Sequence, residues 1–368
     1  MEHAAEMERM LIWRAAECRT PISASIELLP LCNMNCDMCF VRLSRKEMER
    51  QGRLRTAEEW LALARQMQRA GTLFLLLTGG EPLLYPDFKR LYLKLKQLGM
   101  LLTLNTNGTL IDEEWAAFFG ANPPRRINIT LYGADERAYA ELCHYPGGFE
   151  RACRGIRLLR EQGVEVKVAS SLVRANEPDM HRIAALARSL DAAVHTDTYM
   201  FPATRERNRP FAQQARMSPE EAAQARIAMM KEEHTPEKYR QTVLSMLYTA
   251  AHTPPGENSP GGMQCMAGKC SLTVNWQGEM RPCVMLTQPS VPVFDVGFDA
   301  AWQQIMEETD RICLSAACSQ CTMRSVCDVC AASALLETGR YDGTPEYMCR
   351  YTRETLRLLV QEAEQMMK

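Results

Sequence analysis

Cys32, Cys36 and Cys39 stand in the run Cys32-Asn33-Met34-Asn35-Cys36-Asp37-Met38-Cys39-Phe40, a C-x3-C-x2-C spacing. Three thiolates this close on one loop can grip three irons of a cubane [4Fe–4S] cluster, whose full ligation takes four cysteines. The fourth iron is then open to a substrate or cofactor. A zinc knuckle is the competing reading. Zinc sites take four ligands and paired C-x2-C spacing, and the nearest further Cys or His are Cys18 and His3. The triplet therefore favours the cluster.

A second motif follows. Leu73-Phe74-Leu75-Leu76-Leu77 is an apolar run of strand length. It ends in Thr78-Gly79-Gly80-Glu81-Pro82, where the glycines permit a close backbone approach and the proline stiffens the exit. A strand-to-helix turn explains the glycines but not the carboxylate of Glu81, which can pair with an ammonium group. Together, the triplet with apolar Met38 before its third cysteine and the Gly79-Gly80-Glu81-Pro82 stretch resemble the radical S-adenosylmethionine (radical SAM) enzymes. The resemblance implies that Gly79, Gly80, Glu81 and Pro82 hold the methionine amino group of the cofactor.

Composition narrows the classes. Of 368 residues, 46% are hydrophobic, and the formal net charge is −2. That charge gives no pull toward nucleic acid. No apolar run approaches membrane-spanning length, and the acidic start Met1-Glu2-His3-Ala4-Ala5-Glu6 is not followed by a signal core. A soluble cytoplasmic protein is expected. Fifteen cysteines in such a chain point to metal or redox chemistry rather than disulfides.

The elements that position these motifs alternate. Strands are expected over residues 22–28, 73–77, 101–104, 126–131, 164–173 and 193–201. Helices are expected over 1–20, 56–70, 88–98, 112–119, 149–162 and 179–190, the second opened by a Thr56-to-Glu59 capping box. Such alternation implies a parallel sheet with ligands at the carboxyl ends of its strands. The cysteine loop, Gly79–Glu81, Asn107, Thr130, Ser170 and Asn176 all fall at or near those ends. The radical SAM resemblance implies a partial (β/α)6 TIM-like barrel over residues 20–202, after an N-terminal helix at 1–19. It also makes Asn107, Thr130 and Ser170 cofactor contacts, although a strand hydroxyl is as often ordinary. Residues 203–262 hold two helical stretches, 219–232 and 236–251, among Pro202, Pro210, Pro254, Pro255 and Pro260. They fit either a connector or a lid or wall over a substrate.

Cysteines return in residues 263–368. Cys265, Cys270 and Cys283 surround a hairpin expected over 273–280, and Cys318, Cys321, Cys327, Cys330 and Cys349 follow. Eight thiolates suit two four-ligand centres, and zinc accepts the same inventory. The array resembles the SPASM domain, a loop-rich extension that binds two auxiliary [4Fe–4S] clusters. Carried over, Cys265, Cys270, Cys283 and Cys330 hold an inner cluster, and Cys318, Cys321, Cys327 and Cys349 an outer one. The chain departs from the family pattern in having two residues, not three, between Cys327 and Cys330. Cys313, beside the array, is a spare or alternative ligand or an inert buried thiol.

The resemblance implies three [4Fe–4S] clusters, reductive cleavage of S-adenosylmethionine to a 5′-deoxyadenosyl radical, and hydrogen abstraction from a peptide or protein substrate. The expected enzyme is a peptide maturase that oxidises or cross-links a ribosomally made precursor. Its electron donor would be a flavodoxin or ferredoxin. The 31 residues before Cys32 are too few for a precursor-binding domain, so a separate leader-binding protein or the 203–262 segment is expected to recognise the leader. Formylglycine formation, as in anaerobic sulfatase maturation, is the alternative. Those enzymes carry an aspartate after the third SPASM cysteine, where this chain has Val284. The acid–base group is open among Tyr132, His195, Asp197 and Tyr199. A non-catalytic iron–sulfur or zinc protein is the remaining class.

Overall fold

The computed structural model describes residues 2–202, 216–253 and 261–367; Pro210, Pro254, Pro255 and Pro260 lie outside them. Six short strands carry the expected alternation: β1 (Ser23–Glu27), β2 (Phe74–Thr78), β3 (Leu101–Thr106), β4 (Arg126–Thr130), β5 (Val166–Ser171) and β6 (Ala193–Asp197). They lie side by side in chain order, every pair parallel. This is the α/β class, with the parallel sheet of a partial barrel.

The sheet does not stop at β1. β7 (Ser271–Val274) pairs with the other edge of β1 in parallel, from Ser23 opposite Ser271 to Ile26 opposite Val274. β8 (Glu279–Arg281) and β9 (Val291–Pro292) then follow antiparallel. The hairpin expected over 273–280 is thus present as part of one nine-stranded sheet. That sheet crosses the boundary expected at residue 263.

A period of two divides the sheet's faces. Leu75, Leu77, Leu102, Leu104, Ile127 and Ile129 are buried in one apolar core with Trp60, Leu91, Phe119 and Ile156 of the covering helices. The other face is polar. There Arg126 Nε donates to Asn128 Oδ1 at 3.0 Å, and Asn128 Nδ2 to Asn105 Oδ1 at 2.7 Å. The helix Ala57–Arg69 begins with the expected capping box between Thr56 and Glu59.

β6 is an end strand of the sheet. One of its backbone donors is met from outside, by Glu233, whose Oε1 accepts from Thr196 N at 3.0 Å. Glu233 ends the helix Pro219–Glu233, which opens on Ser218 as N-cap and is followed by Pro236–His252, close to the expected bounds. Met217, Ala222, Ala223 and Met229 share a core with Met348 and Tyr351 of the C-terminal helix Glu346–Met366. A helix that sequence reasoning missed, Phe298–Asp310, sends Phe298, Ala301, Trp302 and Ile305 into the main core. Among the described residues no helix is long and apolar enough to cross a membrane.

Candidate active site

The cysteine triplet sits where β1 ends, and neighbouring backbone fixes it there. Gly80 N donates to Leu29 O at 2.7 Å and Glu81 N to Leu31 O at 2.8 Å. A Cβ on Gly80 would lie 2.2 Å from Leu31 O, and one on Gly79, at φ +139°, 2.4 Å from Leu29 O. The two glycines are therefore required by the chain leading into Cys32. On the far side, Asn35 N and Asp37 N donate to the carbonyls of Cys143 and Leu142, both at 3.0 Å.

The sulfurs are met as thiolates would be. Met34 N points at Cys32 Sγ (3.4 Å) and Arg42 N at Cys39 Sγ (3.3 Å). Burial, then the charge of Glu81, pushes the Cys32 thiol up to about 12. A group so placed ionises only with a cationic centre beside it. Cys36 is buried, with its thiol against Cys143 and Tyr132.

Glu81 is fully buried. Its Oε1 accepts from Leu83 N (3.1 Å) and the Thr106 hydroxyl (2.7 Å), and its Oε2 from Asn107 N (2.9 Å). Burial nevertheless raises its pKa to about 7, with those three hydrogen bonds opposing. A carboxylate has about four acceptor sites, so capacity for one further donor remains. Asn107 in turn gives Nδ2 to Asn33 Oδ1 (2.9 Å) and to Cys32 Sγ (3.7 Å). Its Oδ1 accepts from Thr109 N and Oγ1, at 2.9 and 2.7 Å. One network thus ties the ends of β2 and β3 to the cysteine loop.

The other strand-end residues divide by register. Thr130 is on the polar face with Asn128 and Arg126. Ser170 follows Val166 and Val168 onto the helix-packed face, 1% exposed and with no partner for its hydroxyl, while Ser171 lines the cavity described below. Asn176 knits strand ends together: Nδ2 donates to Tyr132 O and Ser171 O, and Oδ1 accepts from Val173 N.

A cavity of about 650 Å³ runs from Cys39 to the C-terminal region. That is within the range of small-molecule sites. Met38, Cys39 and Phe40 border it at the cysteine loop, and Met285, Asp328 and Met348 at the other end. The helix Pro219–Glu233 gives it a wall through Arg226, Met229 and Met230. Seven of its lining residues are methionines, adaptable side chains suited to an apolar occupant of irregular shape. Arg226 is held by Asp328 Oδ2 at 2.8 Å. His195 and Asp197 face the cavity with His195 Nε2 3.5 Å from Asp197 Oδ1, which raises the His195 pKa. Tyr199 donates to Glu337 Oε1 at 2.8 Å, and Arg216 pairs with the same oxygen at 2.8 Å. Burial and Glu337 keep this tyrosine a phenol. Tyr132 is partly buried, with Cys36, Cys143, Cys39 and Cys32 as its neighbours.

The C-terminal cysteines separate into neighbourhoods. Cys349, in the first turns of the final helix, lies within electrostatic reach of Cys318, Cys327 and Cys321. Cys283 has Cys330 and Cys265 as such neighbours. Cys327 and Cys330 therefore diverge despite the shortened spacing. Backbone or hydroxyl donors again meet the sulfurs: Met285 N at Cys283 (3.4 Å), Ser333 N at Cys330 (3.4 Å), Thr352 Oγ1 at Cys327 (3.2 Å). Burial raises Cys283, Cys318, Cys327 and Cys349 alike. Among the described residues no three Cys, His, Asp or Glu side chains gather as a single-ion site. Cys270 is not with the others; its thiol points at Ile12 O, 3.7 Å away.

Residues 26–187 match the family model described as the radical SAM superfamily. These residues are a radical SAM domain. The family implies a [4Fe–4S] cluster and S-adenosylmethionine, and the clustered, wholly or partly buried cysteines of the triplet fit the first. A probable GTP 3′,8-cyclase of Pyrobaculum aerophilum is 29% identical over 44% of this chain and 53% of its own length; the match thus spans about half of that relative. An AdoMet-dependent heme synthase of Oleidesulfovibrio alaskensis is 25% identical over 95% of this chain and 91% of its own. The antilisterial bacteriocin subtilosin biosynthesis protein AlbA of Bacillus subtilis is 25% identical over 72% of this chain and 55% of its own. Two solved structures share the fold. Streptococcus suis SuiB bound to precursor peptide SuiA aligns with a TM-score of 0.66 at 15% identity, covering 95% of this chain and 81% of that one. The protein anSMEcpe with bound AdoMet gives 0.69 at 16%, covering 94% and 96%.

Sequence reasoning missed Asn33, Thr106 and Thr109, the polar links between the radical SAM domain's cysteine loop and its β3 turn. Their signal was present, since Asn105-Thr106-Asn107-Gly108-Thr109 crowds short polar side chains at a strand end. Glu337 and Arg216, remote in sequence from Tyr199, had none.

Proposed function

We propose that this protein is a radical SAM peptide maturase, which oxidises or cross-links a peptide or protein substrate. The observation that carries the reading is the cavity that joins Cys39 of the triplet to Met285, Asp328 and Met348 beside the C-terminal cysteines. Such a space lets one substrate segment face the hydrogen-abstracting site and the electron-accepting region together. The peptide-handling names of two similar proteins, AlbA and the SuiA-bound SuiB, support it.

In this reading Cys32, Cys36 and Cys39 hold the catalytic [4Fe–4S] cluster. With S-adenosylmethionine bound, that cluster supplies a 5′-deoxyadenosyl radical that removes hydrogen from an unreactive C–H bond. Gly79, Gly80, Glu81, Pro82 and Asn107 form the cofactor's methionine end, with Thr130 on the polar barrel face. Ser171 is the hydroxyl at the cavity in the position proposed for Ser170. Two auxiliary clusters lie in residues 263–368, the outer one on Cys318, Cys321, Cys327 and Cys349. The methionines seat the substrate side chain, Arg226 orients a carbonyl or carboxylate of it, and the His195–Asp197 pair takes the proton released on oxidation. A flavodoxin- or ferredoxin-type donor supplies electrons, and a separate leader-binding protein presents the precursor.

The heme synthase match over nearly the whole of both chains favours a second reading, in which the cavity takes a haem-type macrocycle. One experiment separates them. Protein purified without oxygen should contain about twelve irons and twelve sulfides for three cubanes, and should form 5′-deoxyadenosine after dithionite reduction. Incubation with precursor peptides encoded beside it should change a peptide's mass by loss of hydrogen. Tight binding of an iron porphyrin, seen as a shifted Soret band, with no peptide product would replace the first reading by the second. Zinc without sulfide would defeat both.

A further inference from the structure

Cys270 is the one residue of the eight-cysteine array that the fold turns away. It stands where a tight turn becomes β7: Lys269 N, Cys270 N and Ser271 N all donate to Met266 O at 3.0 Å. Its carbonyl accepts from Ser23 N at 3.1 Å, so the backbone is fixed against β1. The period of two then puts Cys270 on the face of Leu272 and Val274, both buried in the core. Its side chain is 1% exposed and packs with Ala15 and Ile22, its thiol toward Ile12 O. Cys265, only five residues earlier, is exposed and within reach of Cys283 instead. A ligand at 270 would need β7 to rotate by one residue, which would turn Leu272 and Val274 out of the core.

Cys313 does not replace it. A bridge pairs it with Gly262, but the buried neighbours are Ile312 and Leu314, which pack beside Cys283 and Cys330. Alternation leaves Cys313 exposed on the opposite side, in a shallow cleft with Arg340 and Tyr341.

Resting on the radical SAM maturase reading above, we infer that the inner auxiliary cluster of this protein is held by three thiolates, Cys265, Cys283 and Cys330. Cys270 is a packing residue. One iron of the inner cluster is consequently open to an exchangeable ligand that is not a cysteine. The protein then has two three-cysteine clusters and one four-cysteine cluster.

The test uses the full chain, purified and loaded without oxygen. Cys270→Ala and Cys270→Val both remove the sulfur, and valine keeps the apolar bulk. Each should keep about twelve irons and the wild-type electron paramagnetic resonance spectrum of the reduced inner cluster. Cys265→Ala should lose about four irons. A second measurement does not depend on those variants folding. In Cys36→Ala protein, which on this reading lacks the first open cluster, cyanide should shift the spectrum of a remaining cluster. Loss of about four irons from both Cys270 variants, with unchanged circular dichroism, would overturn the inference. So would a spectrum indifferent to cyanide. Wild-type protein with only four irons would instead defeat the two-cluster reading on which the inference rests, and the iron count tells these failures apart.

Discussion

The two cysteine-bearing regions are built on opposite plans. The triplet comes from eight consecutive residues, and the protein around it is complete: Gly79 and Gly80 close on the chain before it, the carbonyls of Leu142 and Cys143 on the loop itself, and Asn107 reaches Cys32. The C-terminal cysteines come from separated segments whose own secondary structure is slight. Cys318 sits in a four-residue helix, Cys327 follows a three-residue one, and Cys349 belongs to another helix altogether. The first site is shaped by its fold. On the proposed reading, the second is a place where metal binding and folding would be one process.

Removing one ligand from each region tests that contrast most severely. Cys36→Ala should end 5′-deoxyadenosine formation and lower iron by about four per chain, while circular dichroism and proteolytic resistance stay as in the wild type. Deoxyadenosine at wild-type yield would remove the triplet from the chemistry. Cys349→Ala should also lose about four irons, but here the fold should suffer. Amide exchange should quicken along Glu346–Met366, which loses its tie to the outer cysteines, and modified peptide should fall while deoxyadenosine still forms. A C-terminal helix as protected as before would mean that this region, too, is set by packing alone.

A milder change probes how the fold tunes the first site. Asn107→Ala removes the donor to Cys32 Sγ and the tie to Asn33. Outer partners of metal ligands are commonly worth about ten- to a hundredfold in affinity or activity, and hydrogen bonds to cluster sulfurs set the reduction potential. The cluster should still assemble, with a shifted potential and cleavage slowed by roughly that factor. An unchanged potential would make Asn107 a loop brace only.

The smallest effect concerns Glu81 and pH. Burial raises its pKa to about 7, so below that pH the free protein favours the neutral carboxyl. The stability linked to it is present below the ordinary carboxylate range and is lost as pH rises through about 7. An ammonium group needs the ionised form. If Glu81 receives the cofactor's ammonium, affinity for S-adenosylmethionine should rise by up to about tenfold per pH unit between 6 and 7 and then level off. Glu81→Gln should flatten that slope. Equilibrium dialysis at pH 6, 7 and 8 measures it; a flat wild-type profile would leave Glu81 as the brace for Leu83, Thr106 and Asn107.

The local parts of this molecule were legible in its sequence. The alternation of strands and helices, the capping box at Thr56, and the cysteine loop at a strand's carboxyl end all follow from short-range chemistry, and the structure bears out the α/β fold. What escaped depends on register or on distant pairing. Whether Ser170 or Ser171 meets the cavity is a matter of one residue in a period of two, in a run, Val166–Ser171, where both are serine. Cys270 reads as a ligand by its type and turns away because β7 lies against β1, more than two hundred residues upstream. The helix Phe298–Asp310 is a different case, since Phe298, Ala301, Trp302 and Ile305 fall at helical spacing and its signal is local.

The pairing of β7 with β1 also bears on where this chain can be cut. A chain shortened to end before β7 would keep the whole triplet and every strand from β1 to β6. It would nonetheless expose one flank of β1, with Ser23, Ile26 and the main-chain groups between them stripped of their partners. A bare, apolar edge beside a cysteine loop invites sheet-to-sheet adhesion between copies. Residues 263–367 are therefore no detachable accessory in the mechanical sense. They are the selvedge of the sheet, and the barrel would fray without it.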